Sequence, residues 1–163
     1  MLRHMGIELP LLFILGWFAA RMAGPRLTHA FAPWNMAGIP SLVFSMLVLS
    51  VWMIPTALDY AVLNGPIAML KVISLLLAGI LTGLSWKAAG IIIQAFFTLN
   101  WFWMTFFIGL LYRDIPQQLC SVYLVDEQAS TGLAMMAWAV VGLALWIPSV
   151  VQEICRWDRK ESQ

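Results

Sequence analysis

Long stretches of apolar residues alternate with short polar segments along this chain. Five stretches are long and hold at most two charged side chains each, at residues 5–22, 39–58, 67–86, 90–112 and 129–151. About 20 apolar residues suffice for an α-helix to cross the hydrocarbon core of a bilayer. No stretch shows strand-like alternation, and lipid admits only helices and closed barrels. The pattern therefore predicts an all-α integral membrane bundle of about five transmembrane helices.

Only short polar segments separate the apolar stretches, which predicts a single domain. The turn cluster Asn64–Pro66 precedes the third stretch, and Lys87 marks a very short connection between the third and fourth. These two helices should therefore be antiparallel neighbours. We expect residues 1–152 to form one transmembrane domain and residues 153–163 to form a charged cytoplasmic tail.

The composition excludes an ordinary soluble protein. Of 163 residues, 62% are hydrophobic and 10% are charged, against about 25% charged residues in typical soluble domains. The net charge of +1 gives no reason to expect a nucleic-acid partner. The sequence has no phosphate-binding loop, no HExxH and no CxxC motif, and we expect no catalytic activity of its own. The expected surroundings are a lipid bilayer and other membrane protein subunits.

The lysines and arginines predict the orientation of the bundle. Basic residues in short loops lie mainly on the cytoplasmic side of membrane proteins. One side of the predicted bundle receives six of them, namely Arg21, Arg26, Lys87, Arg156, Arg159 and Lys160. The other side receives at most Arg3, Lys71 and Arg113. The N-terminus is therefore predicted outside and the C-terminus inside, in the plasma membrane of a prokaryote.

Ionisable residues from several helices are predicted to meet near the outer leaflet. Glu8 and Lys71 lie within apolar stretches, where a charge is costly unless it is paired or hydrated. Asp59 is expected at the outer end of the second helix. An ion pair that fixes helix packing is the preferred interpretation of Glu8 and Lys71, with Asp59 as a further partner. A contact with another subunit and a metal site are the alternatives.

The metal site would combine imidazole and carboxylate ligands. His4 lies one helical turn before Glu8 on the same helix face, and Asp126 and Glu127 immediately precede the fifth stretch. Copper or haem is the possible cofactor of such a site. A single histidine makes this ligand set small.

Two further features are predicted to serve helix packing. Gly79 and Gly83 form a GxxxG pattern, which allows two helices to approach closely, within this chain or with a partner. Asn100 lies near the middle of the fourth stretch. Its amide is expected to form a hydrogen bond with another helix.

Three segments of the chain contain short motifs that can be compared with a known family. They are His4-Met5 with Leu9-Pro10-Leu11-Leu12 and Gly16; Asn64-Gly65-Pro66 with Ser74-Leu75-Leu76-Leu77-Ala78-Gly79; and Asp126-Glu127-Gln128 with Gly132-Leu133, Met135-Met136 and Trp138. In these segments the chain resembles the CtaG-like family of membrane proteins, which is associated with cytochrome c oxidase assembly. Where the family has histidines before the serine of the second segment, this chain has Ala68, Lys71 and Val72. If those histidines bind copper or haem, most of the ligand set is missing here.

The resemblance and the bundle together lead to a functional hypothesis. We expect a non-catalytic subunit or assembly component of a respiratory or metal-dependent membrane enzyme complex. A copper- or haem-handling membrane protein with an outer-leaflet site is the alternative. A small transporter is a second alternative, although most transporters have more charge near the midplane and an internal repeat.

Overall fold

The computed structural model describes residues 6–23, 33, 35–114 and 125–161, excluding the side chains of 125–127, 156–158, 160 and 161. Of the part described, 93% is helical and no residue lies in a strand, as the all-α prediction requires. After a wide helical turn at residues 6–8, the helices are α1 (Leu9–Met22), α2 (Ile39–Trp52, preceded by a 3₁₀ turn at Met36–Gly38), α3 (Pro55–Leu63), α4 (Gly65–Ser85), α5 (Gly90–Asp114) and α6 (Val125–Glu161).

The stretch predicted as one span over residues 39–58 is two helices. The chain bends by 76° between α2 and α3. Pro55 lacks an amide hydrogen, and its ring favours an extended conformation in the preceding residue. Ile54 accordingly has φ −76° and ψ 126°. The proline therefore ends α2 and redirects the chain.

Three helices are long and apolar enough to cross a membrane in the described part of the chain, at Gly65–Ser85, Gly90–Asp114 and Gln128–Cys155. The bent pair α2–α3 makes a fourth if it is counted as one span. Helix α1 has 14 residues and is therefore about 21 Å long. The chain is a multi-pass membrane protein by these criteria. The count of five spans and the outside location of the N-terminus stay predictions.

The helix directions follow from the residues that face one another. Helix α1 runs parallel to α4, since Glu8 faces Lys71 at one end and Ala20 faces Gly83 towards the other. Helix α2 is antiparallel to α4, because Trp52 contacts Ser74 and Asn35 contacts Ser85. Helices α5 and α6 form an antiparallel pair, with Gly109 against Gly132 and Gln94 against Trp146. We call the two ends of the bundle the Lys71 end and the Arg21 end.

Hydroxyl groups join α2 to α4 through a polar seam. The Ser45 hydroxyl lies 2.9 Å from the Ala78 carbonyl oxygen, and Thr82 donates a hydrogen bond to Ser45 at 2.9 Å. Asn35 donates to the Ser85 hydroxyl at 2.6 Å near the Arg21 end. Interhelical hydrogen bonds of this kind stabilise membrane helix pairs because lipid offers no competing partner.

A compact apolar core lies at the Lys71 end. It consists of Leu9, Trp52, Met53, Leu58, Ala61, Leu75, Tyr112 and Met135. Tyr112 is fully buried in it and donates a hydrogen bond to the Met53 carbonyl oxygen at 3.2 Å. This core joins the α1–α4 group to the α5–α6 pair. Towards the Arg21 end the two groups enclose a cavity instead.

Candidate functional site

An ion pair links α1 to α4 at the Lys71 end. The Lys71 Nζ atom lies 2.9 Å from Glu8 Oε1, and the exposed fractions of the two side chains are 4% and 30%. Glu8 immediately precedes α1, and Lys71 lies in the second turn of α4. The ammonium group is thus enclosed by protein, while the carboxylate lies near the surface.

A hydrogen-bond chain from α2 supports the backbone next to this pair. The Trp52 indole nitrogen donates to the Ser74 hydroxyl at 2.9 Å, and that hydroxyl donates to the Lys71 carbonyl oxygen at 3.0 Å. Three helices therefore meet at Lys71. Trp52 was not among the residues selected from the sequence, and Ser74 was named only as part of a CtaG-like segment, because apolar stretches contain many tryptophans and serines with no special role.

The other residues of the predicted metal site are only partly described. His4 lies outside the described residues, and so do the side chains of Asp126 and Glu127, whose backbone forms the first turn of α6. Among the side chains that are described, no three from His, Cys, Asp and Glu are placed to hold a metal ion. Asp59 is half-buried on α3, next to core residue Leu58. The metal site stays a prediction, and Oε1 of Glu8 already contacts Lys71.

The GxxxG pattern packs within the chain. A Cβ atom added at Gly79 would collide with the carbonyl oxygen of Phe13, and one added at Gly83 would lie 2.7 Å from Ala20 Cβ. From the opposite side, Gly16 lies against the α4 backbone at Leu76. Backbone of α1 and backbone of α4 are therefore in direct contact. The sequence left open whether this face serves the chain itself or a partner.

Asn100 lies on the outer surface of α5. The residue is exposed, and its side chain forms no hydrogen bond with any other residue of the described chain. It belongs to a stripe of exposed large side chains that we call the outer α5 face, namely Ile92, Phe96, Leu99, Trp103, Phe107 and Leu111. The predicted hydrogen bond to another helix is thus not formed inside the described bundle.

A cavity of about 500 Å³ lies between α1 and α6 over a floor formed mainly by α2 and α5. Residues of its wall that are exposed to the surroundings include Ile14 on α1 and Val141 and Leu145 on α6. The cavity therefore opens sideways, between α1 and α6, where a bilayer would present lipid. We call it the lateral groove. Its volume lies in the range of small-molecule sites, about 300–1,000 Å³.

The two ends of the lateral groove differ in character. At the Lys71 end it is closed by Leu9 and Met135 and by a hydrogen bond of 2.7 Å from the Trp138 indole nitrogen to the Gly6 carbonyl oxygen. At the other end Arg21 lines the groove, with its guanidinium carbon 4.4 Å from the centre of the Trp17 ring. The groove is thus mainly apolar along its length and cationic at one end.

One of the hydroxyl groups in the wall of the groove, that of Thr105, allows a stability prediction. Thr105 Oγ1 is buried, with no hydrogen-bond partner in the described chain. An unsatisfied buried polar group costs about 1–3 kcal/mol. Thr105→Val should therefore raise the free energy of unfolding in detergent by about 1 kcal/mol. Thr82→Val should lower it by a similar amount, because Thr82 donates to Ser45. A loss of stability in Thr105→Val would show that this hydroxyl has a partner.

Comparison of the chain with protein-family models, with curated proteins and with solved structures finds no match. The resemblance to the CtaG-like family therefore stays a prediction from the three segments that suggested it.

Proposed function

We propose that this chain is a non-catalytic membrane subunit or assembly component that binds another membrane protein through the outer α5 face. The observation that supports the proposal is the exposed carboxamide of Asn100 near the middle of α5. In this proposal the polar groups inside the bundle hold its helices together, and Asn100 serves the partner.

The position of Asn100 makes a lipid environment unfavourable for it. Helix α5 has 25 residues, so Asn100 lies about 3 Å from its midpoint along the axis. At that depth no water competes for the amide, and an unsatisfied polar group in hydrocarbon costs several kcal/mol. A neighbouring helix that supplies a hydrogen-bonding side chain removes this cost. The partner is therefore a transmembrane helix with an amide or hydroxyl side chain at midspan.

The aromatic side chains around Asn100 fit the same role. Trp103 and Phe107 stack at 5.4 Å between ring centres on this face, one and two turns after Asn100. Buried aromatic residues contribute strongly to protein interfaces. The Asn100 amide would fix the position of a partner helix along α5, and the large rings around it would supply the contact area.

The kind of membrane complex is proposed from the resemblance of the sequence to the CtaG-like family. A respiratory or metal-dependent membrane enzyme is the first kind of partner to test, because the CtaG-like segments suggest it. Copper or haem handling is the second candidate on the same grounds. In the proposed role Glu8 and Lys71 serve folding, and any metal would belong to the partner.

Substitution of Asn100 tests the interface directly. A tagged chain is isolated from native membranes in mild detergent, and the partner bound per chain is measured by mass spectrometry. Asn100→Leu should weaken the complex about three- to thirtyfold, since interhelical hydrogen bonds in membranes contribute about 0.6–2 kcal/mol. Asn100→Gln, which keeps the amide, should retain most of the partner.

A matched pair of phenylalanines provides the control for the surface. Phe107 on the outer α5 face and Phe18 on α1 are exposed to 58% and 55%. Phe107→Leu should reduce the bound partner, whereas Phe18→Leu should leave it unchanged. Wild type that purifies at full stability as an 18.3 kDa monomer, or only with copies of itself, contradicts the proposal. Equal losses in the two phenylalanine variants also contradict it.

A further inference from the structure

We propose that the lateral groove binds one anionic phospholipid of the membrane, with its headgroup at Arg21 and one acyl chain along the groove. None of the residues that line the groove belongs to the outer α5 face, so this site is separate from the proposed protein interface. Three properties of the groove lead to this occupant: its sideways opening, its length, and a cation at one end that has no ion-pair partner among the described residues.

The opening determines how an occupant enters. The turn before α1 meets α6 at the hydrogen bond between Trp138 and Gly6, near the Lys71 end. Beyond it, α1 and α6 have no extended contact in the described part of the chain. Val141 and Leu145 therefore line a gap that faces the lipid phase. A molecule dissolved in the bilayer reaches the groove without passing through water.

The length of the groove matches one leaflet. Its wall on α1 extends from Leu9 to Arg21, which is about 18 Å along the helix axis. Half of the hydrocarbon core measures about 15 Å. A lipid chain that begins at the Arg21 end therefore ends near the closed end formed by Leu9 and Met135. A transmembrane helix of a partner would continue past that closure, which the Trp138–Gly6 hydrogen bond obstructs.

The positive charge at the Arg21 end of the groove favours an anionic headgroup. Among the described residues no carboxylate forms an ion pair with Arg21, and the Trp17 ring holds its guanidinium at the groove. Guanidinium groups bind phosphate oxygens in a bidentate geometry. Trp86 and Trp146 line the same region, and indoles are favourable at the level of lipid headgroups. These groups together form a headgroup site at the end of an acyl-chain site.

The proposed headgroup site is tested by substituting two basic residues, Arg21 and Lys87, at the same end of the bundle. The protein is placed in nanodiscs of phosphatidylcholine with a minor fraction of phosphatidylglycerol, and bound lipid is identified by native mass spectrometry after release. Wild type should retain one phosphatidylglycerol. Arg21→Gln should lower the preference for phosphatidylglycerol over phosphatidylcholine about tenfold, as loss of one charge-assisted hydrogen-bond pair predicts. Lys87→Gln should change it less than about twofold, because Lys87 is exposed and does not line the groove.

The acyl-chain part is tested with two adjacent valines. Val141 lines the opening and Val140 does not, and they are exposed to 46% and 52%. Val141→Trp should displace the retained lipid, whereas Val140→Trp should keep it. Both positions face outward, so neither variant disturbs the core.

Three results would overturn the proposal. Equal effects of Arg21→Gln and Lys87→Gln would show that the preference for phosphatidylglycerol comes from the general surface charge and not from the groove. Retention of lipid in Val141→Trp would place the lipid elsewhere on the protein. Detection of a partner helix in the groove of the native complex, with no lipid bound there, would identify that helix as the occupant.

Discussion

Glu8→Gln is expected to lower the free energy of unfolding by about 3–5 kcal/mol, the range measured when one partner of a buried ion pair is removed. The change leaves the Lys71 ammonium group without its carboxylate. That side chain is exposed to only 4%, so water cannot replace the lost partner. Unfolding of the purified protein in mild detergent by a denaturing detergent, followed by tryptophan fluorescence, measures the effect.

Removal of the other partner should cost less. Lys71→Met leaves the Glu8 carboxylate, which is exposed to 30% and remains within reach of water or headgroups. We expect a loss of about 1–2 kcal/mol, because partial hydration compensates for the missing ammonium group. The double variant Glu8→Gln with Lys71→Met should be more stable than Glu8→Gln alone, since it removes the uncompensated charge.

This order of stabilities distinguishes the interpretations of the pair. An ion pair that fixes packing requires Glu8→Gln to be the least stable of the three variants. If Glu8 instead served mainly as a metal ligand, Glu8→Gln would change metal content with little effect on unfolding. Equal stability of wild type and both single variants would remove the structural explanation for Glu8 and Lys71 altogether.

The sequence drew attention to the residues that are rare in apolar stretches. Glu8 and Lys71 are costly at their depth unless they have partners, and in the structure they are 2.9 Å apart. The glycine pattern similarly pointed to Gly79 and Gly83, whose backbone contact with α1 requires the absence of side chains. Exceptional residues are thus informative because lipid penalises them.

The faces of the helices could not be predicted in the same way. In a bilayer the residues that touch lipid and those that touch protein are both apolar, so hydropathy carries no period that separates them. The outer position of Asn100 and the groove lined by Val141 and Leu145 therefore did not emerge from the pattern. The helix break before Pro55 could not be predicted either, since a proline can also lie inside a continuous membrane helix.

Gly79→Ala is the second substitution with a large expected effect. In an isolated helix alanine is favoured over glycine by about 1 kcal/mol. Here the new methyl group would collide with the Phe13 carbonyl oxygen and lie 3.0 Å from the Trp17 amide nitrogen. Both atoms belong to the α1 backbone, so no side-chain rotation can relieve the contact. We expect a net loss of about 3 kcal/mol, at the upper end of typical overpacking costs, in the same unfolding measurement.

Gly65→Ala is the matched control for Gly79→Ala, because a Cβ atom at Gly65 meets nothing within 4 Å. It should change stability by less than about 0.5 kcal/mol, and a similar loss in both variants would contradict the role of the α1–α4 contact. Displacement of α1 by Gly79→Ala also draws Glu8 away from Lys71, since both contacts join the same two helices. Adding Glu8→Gln to Gly79→Ala should therefore cost clearly less than the sum of the single changes, as is usual for coupled sites.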